Sequence, residues 1–353
     1  METSTADTPD IAPKRIAIVS DAWHPQVNGV VRTLSTTVLH LRRLGHDVLP
    51  ITPQHFRTVP CPSYPSIRLA VCARNGVARM LDDFRPHAIH IATEGPLGHA
   101  ARHYCRLRRL PFTTSFHTQF PEYIRMRAPI PVSWTYHYLR HFHRKAERTL
   151  VPTATQRAKL VNRGFENLCL WARGVDLDIF KPDDPVVWTY PRPVAIYMGR
   201  VAVEKNIEAF LDLPEPASKV IIGDGPDLGR LRARYPNYHF LGPKFGRELA
   251  RNLAAGDVFV FPSRTDTFGL VLLEAMACGL PVAAYPVQGP LDVLANGSTG
   301  ILDEDLASAV KGALTLSRAR CIAYAQHYSW EACTADFASY LAPIPATAGS
   351  ARH

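Results

Sequence analysis

The feature that most constrains this chain is a pattern that occurs twice. Short, nearly uninterrupted apolar runs alternate with segments of helical periodicity, first over residues 15–116 and again over residues 194–285. A continuous apolar run of about 4–8 residues bounded by turn residues reads as a strand buried on both faces, the kind found in parallel sheets covered by helices. In the first stretch the strands are Arg15–Ser20, His46–Thr52, Ala88–Ala92 and Phe112–Phe116. One helix carries Val31, Leu34, Val38, Leu41 and Leu44 before Gly45, and another spans Gly98–Arg109. In the second, Val194–Met198, Lys219–Ile222, Tyr238–Leu241, Val258–Phe261 and Pro281–Tyr285 alternate with helices at Glu204–Leu211, Leu228–Tyr235, Arg247–Ala254 and Leu270–Cys278. The pattern predicts an α/β protein of two Rossmann-like parallel-sheet domains. A length of 353 residues fits two cores better than one.

The proline-punctuated connector Phe180-Lys-Pro-Asp-Asp-Pro185 places the boundary between an N-terminal domain, 14–184, and a C-terminal domain, 185–325. A final helix within 326–341 is expected to pack back toward the first domain. Residues 1–13 and 342–353 read as flexible tails.

Composition excludes several classes. No apolar stretch approaches the roughly 20 residues a membrane-spanning helix needs, and no basic segment followed by an apolar one opens the chain. The seven cysteines are scattered and form no CxxC pair, which reads as reduced thiols in a cytoplasmic protein, with no metal site. The net charge of +9 is lopsided: residues 1–184 carry +10 and the remainder −1. Between Arg102 and Arg163 stand 13 basic residues and only two acidic ones, Glu122 and Glu147. A basic half implies an anionic partner, lipid headgroups or nucleic acid.

Ligands of parallel α/β sheets bind beyond the carboxyl ends of the strands, so the strand-to-helix loops carry the chemistry. Asn28-Gly29 follows the first strand, where a glycine lets backbone N–H groups approach a diphosphate at a helix start; alone such a glycine is more often just a turn. Gly199-Arg200 ends a strand, and Lys205 follows five residues after the arginine. Cations near a helix N-terminus oppose the helix dipole, which favours an anion between them; taken alone the pair is equally a solvated surface charge. Gly223-Asp-Gly-Pro226 is a tight turn near a nucleotide or a plain strand-to-helix turn. In Pro262-Ser-Arg-Thr-Asp-Thr-Phe-Gly269 and the helix after it, Asp266 lies in the loop and Glu274 eight residues on in an otherwise apolar helix. A buried carboxylate needs hydrogen-bond donors, which sugar hydroxyls or an arginine of the core supply.

This last stretch resembles the acidic-x7-Glu signature of retaining glycosyltransferase family 4, which has the GT-B fold with two domains facing across a cleft. The first acid of that signature is more often Glu; here it is Asp266. Asn28-Gly29-Val30, Ser115-Phe-His-Thr118, Arg173-Gly-Val-Asp176, Gly199-Arg200 with Lys205, Gly223-Asp-Gly-Pro226, Leu241-Gly-Pro, Asp257-Val-Phe-Val-Phe-Pro-Ser263 and Ser329-Trp330 match in order from Arg15 to Leu341. The resemblance implies that a UDP- or GDP-sugar is the donor, contacted by Asn28, Gly29, Gly199 and Gly223. Arg200 and Lys205 hold its diphosphate, Glu274 its ribose and Asp266 the donor-sugar hydroxyls. The backbone of Phe268, Gly269 and Leu270 contacts sugar and phosphate. His117 faces the anomeric centre, or is a hydrogen-bonded loop histidine, one of twelve in the first half. No cofactor or metal is implied. Transfer of a hexose or uronic acid proceeds with retention, by attack on the face the diphosphate leaves.

Ser20-Asp-Ala-Trp-His-Pro-Gln-Val-Asn-Gly-Val30 is similar to the branch that glycosylates lipids, including diacylglycerol sulfoquinovosyl- and glucuronosyltransferases and phosphatidylinositol mannosyltransferases. Within Ser133–Val151, Trp134, Tyr138, Phe142, Ala146 and Leu150 recur every fourth residue beside Arg140, Arg144, Lys145 and Arg148. That spacing describes an interfacial helix on anionic lipid, or an amphipathic helix docked on the sheet with a solvated basic face. The expectation is a peripheral protein of the cytoplasmic membrane face acting on a lipid, with no nucleic-acid partner, since no recognised binding motif interleaves the basic half. A soluble or polysaccharide-precursor acceptor, a sugar-nucleotide epimerase and a non-catalytic basic binding protein are the alternatives.

Overall fold

The computed structural model describes residues 14–26, 28–61, 64–117, 131–214, 217–266 and 268–345. In the first strand, β1 (Arg15–Val19), successive side chains point to opposite faces of the sheet. Ile16 and Ile18 enter one core, Ala17 and Val19 another. Helix Gly29–Arg43 covers the first face through Leu34, Val38 and Leu41. Helices Ala73–Phe84 and Pro96–Leu107 cover the second through Val77, Leu81, Leu97, Ala101 and Cys105.

The following strands are β2 (Asp47–Ile51), β3 (Thr58–Cys61), β4 (Tyr64–Ala70), β5 (Ala88–Ile91), β6 (Thr113–Ser115), β7 (Arg148–Val151) and β8 (Leu168–Leu170). Five of them join β1 in a parallel sheet of order β2-β1-β5-β6-β7-β8, with Arg15 opposite Asp47 and Ile16 opposite Ala88. β3 and β4 make a separate antiparallel hairpin, which departs from strict strand–helix alternation.

The second sheet repeats the plan with β9 (Val194–Met198), β10 (Ser218–Ile222), β11 (His239–Gly242), β12 (Val258–Phe261), β13 (Val282–Ala284) and β14 (Gly300–Leu302), ordered β11-β10-β9-β12-β13-β14. Val194, Ile196 and Met198 of β9 face one core; Ala195 and Tyr197 face the other. In each sheet the strand order reverses beside the first strand, between β1 and β5 and between β9 and β12. A crevice for ligands opens there at the carboxyl ends.

The last helix, Trp330–Tyr340, joins the first core: Trp330, Cys333 and Phe337 pack with Ile16, Ile18 and Leu34. The Trp171 indole donates to the Cys333 carbonyl at 3.0 Å.

Two expectations need correction. The helix read over Glu204–Leu211 is a 3-10 turn, Val203–Lys205, followed by a short helix, Ile207–Leu211. Asn206 between them has φ +52 and donates its side-chain amide to the Pro262 carbonyl at 3.1 Å, so the two pieces cannot be one helix. The stripe Trp134–Leu150 does not lie on one helix. Helix Val132–His143 ends before Ala146, and Leu150 belongs to β7, which is paired on both sides by β6 and β8 and therefore buried. Tyr136, Leu139 and Phe142 dock the helix, while Trp134 is 72% exposed and Tyr138 42%.

Candidate functional site

The carboxyl ends of β9 and β10 lie backbone against backbone. Gly199 donates to the Ile222 carbonyl at 3.0 Å and Val201 to that of Asp224 at 2.8 Å. A Cβ on Gly223 would sit 1.8 Å from the Gly199 carbonyl oxygen, and one on Gly225 2.2 Å from that of Val201. Both glycines are therefore required by the approach of the two loops, and Gly223 also has φ +148. The Tyr197 hydroxyl donates to the Arg200 carbonyl at 2.8 Å, which holds the loop carrying the half-buried Arg200 side chain.

The 3-10 turn sets Lys205 facing the loop after β12, where its Nζ meets Asp266 Oδ1 at 2.5 Å. Behind that loop stands Gly289, at which a Cβ would lie 3.1 Å from the Asp266 carbonyl oxygen. Phe268 is buried beneath it. Gly269, at φ +81, starts helix Leu270–Ala277 with no side-chain cap, so the first backbone N–H groups of the helix have no capping side chain. Thr267 and Thr118, which belong to the quoted motifs, lie outside the described residues.

Glu274 is 3% exposed within this helix. Its Oε1 pairs with Arg32 Nη1, which comes from the first domain's helix Gly29–Arg43. The arginine alternative raised by the sequence is thus present, but across the cleft and not from within the second core. Burial pushes the Glu274 carboxyl up to about 7, with Arg32 opposing and Asp176 adding to the rise. Among the described residues, Glu274 Oε2 and Asp266 Oδ2 are buried without a hydrogen-bond partner.

On the first-domain side, Asn28 caps its helix by accepting from the Val30 and Val31 N–H groups, both at 3.0 Å. A Cβ on Gly29 would lie 3.9 Å from Leu270 Cδ1, so the two helix starts face each other. His117, just past β6, receives Arg173 Nη2 at Nδ1, 3.3 Å away, and packs edge-on against Trp171. Burial first, then the Arg173 guanidinium, holds the His117 imidazole well below the ordinary histidine range, so it is neutral at physiological pH. Arg173 is itself buried and donates to the Trp171 and Ala172 carbonyls.

The structure therefore joins Lys205 to Asp266, Arg32 to Glu274, and Arg173 to His117. Sequence reading gave no role to Arg32 or Arg173. The signal for Arg32 was present: a cation at the fourth helical position, where the dipole disfavours it, with no acid in that turn.

Trp134, Tyr138, Arg140, Arg144, Lys145 and Arg148 are each exposed on the first domain, on the helix Val132–His143, the turn after it and the start of β7. Tyr138 donates to the Glu94 carbonyl at 3.0 Å, and Arg148 to that of Tyr340 at 2.9 Å. No helix among the described residues is long and apolar enough to cross a membrane. The Ser20-Asp21 motif has a structural use: Asp21 accepts from the Leu97 and Gly98 N–H groups and the Thr93 hydroxyl, capping helix Pro96–Leu107.

A family model described as Glycosyltransferase Family 4 matches residues 27–179, and one described as Glycosyl transferases group 1 matches residues 192–317. A GDP-mannose-dependent alpha-mannosyltransferase of Mycobacterium tuberculosis is 33% identical over 315 residues, covering 82% of this chain and 83% of that one. The sulfoquinovosyl transferase SQD2 of Arabidopsis thaliana is 32% identical, covering 82% of this chain and 64% of its own. An alpha-monoglucosyldiacylglycerol synthase of Streptococcus pneumoniae is 25% identical, covering 85% and 78%. Among solved structures, sucrose-phosphate synthase from Thermosynechococcus elongatus superposes with a TM-score of 0.71 at 19% identity, covering 92% of this chain and 98% of that one. That likeness shows the fold, GT-B. Both halves of the chain are matched by family models, so it belongs to glycosyltransferase family 4 and is a nucleotide-sugar glycosyltransferase.

Proposed function

We propose that this enzyme moves a hexose or uronic acid, with retention of configuration, from a nucleoside diphosphate sugar to a hydroxyl of a membrane lipid such as diacylglycerol. The observation that carries the donor assignment is the pair of buried carboxylate oxygens, Asp266 Oδ2 and Glu274 Oε2, without hydrogen-bond partners among the described residues. Each such acceptor costs about 1–3 kcal/mol until a donor reaches it, and sugar hydroxyls are donors of the right kind.

Glu274 takes the ribose hydroxyls and Asp266 those of the transferred sugar. Arg200, Lys205 and the uncapped helix start at Leu270 hold the diphosphate. These cations stabilise the charge that develops as the diphosphate departs, so in this reading no resident metal is needed. His117, neutral, offers a hydrogen bond toward the anomeric centre and no positive charge. The acceptor oxygen bonds to the anomeric carbon on the face the diphosphate leaves, and its proton passes to a departing phosphate oxygen.

The lipid acceptor is supported by the exposure of Trp134 and Tyr138 and of Arg140, Arg144, Lys145 and Arg148 on the same domain, and by the relative named for diacylglycerol. The arrangement suits a protein held at an anionic membrane surface from the cytoplasmic side. GDP-mannose with another acceptor is the second reading, favoured by the 33% identical relative.

A thermal-shift series with UDP-, GDP- and ADP-sugars tests the donor site, because a ligand of the folded state raises apparent stability by mass action. One donor class should raise the melting temperature in the wild type and lose that effect when Lys205 is replaced by Ala. Absence of any shift across the series contradicts the donor site.

A further inference from the structure

Glu274 is fixed from the opposite domain. Its helix supplies no donor: the neighbouring positions Leu272, Leu273, Ala275, Met276 and Ala277 are buried and apolar. Arg32 Nη1 reaches one carboxylate oxygen, its guanidinium lying 5.3 Å from the Phe180 ring centroid, and Phe180 packs in the core faced by Val194, Ile196 and Met198 of β9. Arg32 is thus wedged between the domains with its charge on Glu274, while the second oxygen stays buried and unbonded among the described residues.

We propose that Arg32 is a positioning residue for the donor: its guanidinium holds Oε1 of Glu274, so that Oε2 is turned to meet the ribose hydroxyls. This rests on the reading of Glu274 as the ribose ligand. It also makes donor binding depend on the first domain, because among the described residues the second domain supplies no counter-charge for that carboxylate.

Among the described residues, the other groups around Glu274 leave Arg32 as the one that opposes its burial. Asp176, in the loop after β8, raises the carboxyl further. Arg318, on the packed helix Arg318–Ala325, donates to the Ala254 and Gly256 carbonyls. The Cys278 and Cys321 thiols are pushed up to about 12 and about 11 and stay protonated. Glu248 and Arg251 of helix Gly246–Ala254 point outward to Lys244 and Asp184. Asp292, on the short helix Pro290–Val293, accepts from Thr155.

Loss of a cation at contact distance raises a carboxyl by about one to three pH units. Hydrogen bonds from hydroxyls to the ionised carboxylate are roughly twice as strong as those to a neutral partner. Starting from about 7, Arg32→Gln should weaken binding about five-fold or more at pH 7. That deficit should shrink by about five-fold or more on going to pH 9. Arg32→Lys, which keeps the charge, should fall between wild type and Gln at pH 7.

The experiment is calorimetric titration of GDP and UDP into wild type, Arg32→Gln, Arg32→Lys and Glu274→Gln at both pH values. Unchanged affinity in Arg32→Gln at pH 7, or an equal loss at both pH values, overturns the positioning role. In the second case Arg32 touches the ligand or only shapes the cleft. Unchanged affinity in Glu274→Gln overturns the ribose reading itself, and the inference with it. A weakened Glu274→Gln beside an unaffected Arg32→Gln overturns the inference alone.

Discussion

Replacing Glu274 by Gln should stabilise the unliganded protein while weakening its hold on nucleotide. The side chain is 4% exposed, and burial moves its titration from the ordinary 4.5 to about 7 against the pull of Arg32. The folded state therefore binds more protons than the unfolded state over that interval. Stability falls as pH rises from about 4.5 to about 7, then levels off. At about 1.4 kcal/mol per pH unit, the ionised carboxyl costs on the order of 3 kcal/mol above neutral pH. An amide of the same shape carries no charge to desolvate, and Arg32, with 42% of its side chain exposed, keeps water as a partner. Urea unfolding at about pH 8 should thus show the Gln variant more stable by on the order of 1–3 kcal/mol, with the gain gone at about pH 4.5. Affinity for nucleoside diphosphate moves the other way, as expected where a site keeps a group that the fold alone would reject. A Gln variant no more stable than wild type at the higher pH, or a gain of equal size at both, would refute the reasoning.

Three further outcomes follow from the same geometry. Arg200→Ala and Lys205→Ala should each lower kcat by about 10²–10³, the usual loss for an oriented charge on a leaving group, with circular dichroism unchanged; unaltered turnover in steady-state kinetics removes the diphosphate assignment. Gly223→Ala should abolish nucleotide binding in a titration, because its methyl would meet the Gly199 carbonyl oxygen at 1.8 Å and force the two loops apart; binding within about two-fold of wild type would mean that these loops do not shape the site. Changing Arg140, Arg144, Lys145 and Arg148 together to Gln should release the protein from anionic vesicles in a flotation assay at moderate salt, each charge being worth about 1 kcal/mol at such a surface. Equal flotation of variant and wild type on anionic and neutral vesicles assigns those residues to solvated surface.

Most of the two sheets was legible because a parallel sheet demands continuous apolar runs. Val194–Met198 and Val258–Phe261 were read to the residue for that reason. The β3–β4 hairpin was not, since Pro60 and Pro65 interrupt any apolar run there. Helix periodicity misled where fourth-residue spacing continued past a helix end: Trp134 and Tyr138 share the helix, but Leu150 sits on β7 in the sheet. Asn206 looked like one helical residue among others, and only the Pro262 carbonyl it reaches shows why the backbone turns left-handed. In the site, the second-domain residues announced themselves through loop glycines and misplaced charges. Long-range pairing could not be read: nothing local in the sequence tells Glu274 that its partner is Arg32, in the other domain.

The central claim, transfer of a sugar from a nucleotide donor to a lipid hydroxyl, is tested most directly by following the sugar. Purified protein is incubated with radiolabelled UDP- and GDP-sugars and anionic vesicles, with and without diacylglycerol, and the label is counted after solvent extraction. The account predicts that one donor delivers label into the lipid phase only when diacylglycerol is present, with one nucleoside diphosphate released per sugar transferred, and that Lys205→Ala does neither. Nucleoside diphosphate release that is indifferent to diacylglycerol, with all label left in the aqueous phase, would contradict the lipid acceptor. No release from any donor with any acceptor would contradict the transferase itself.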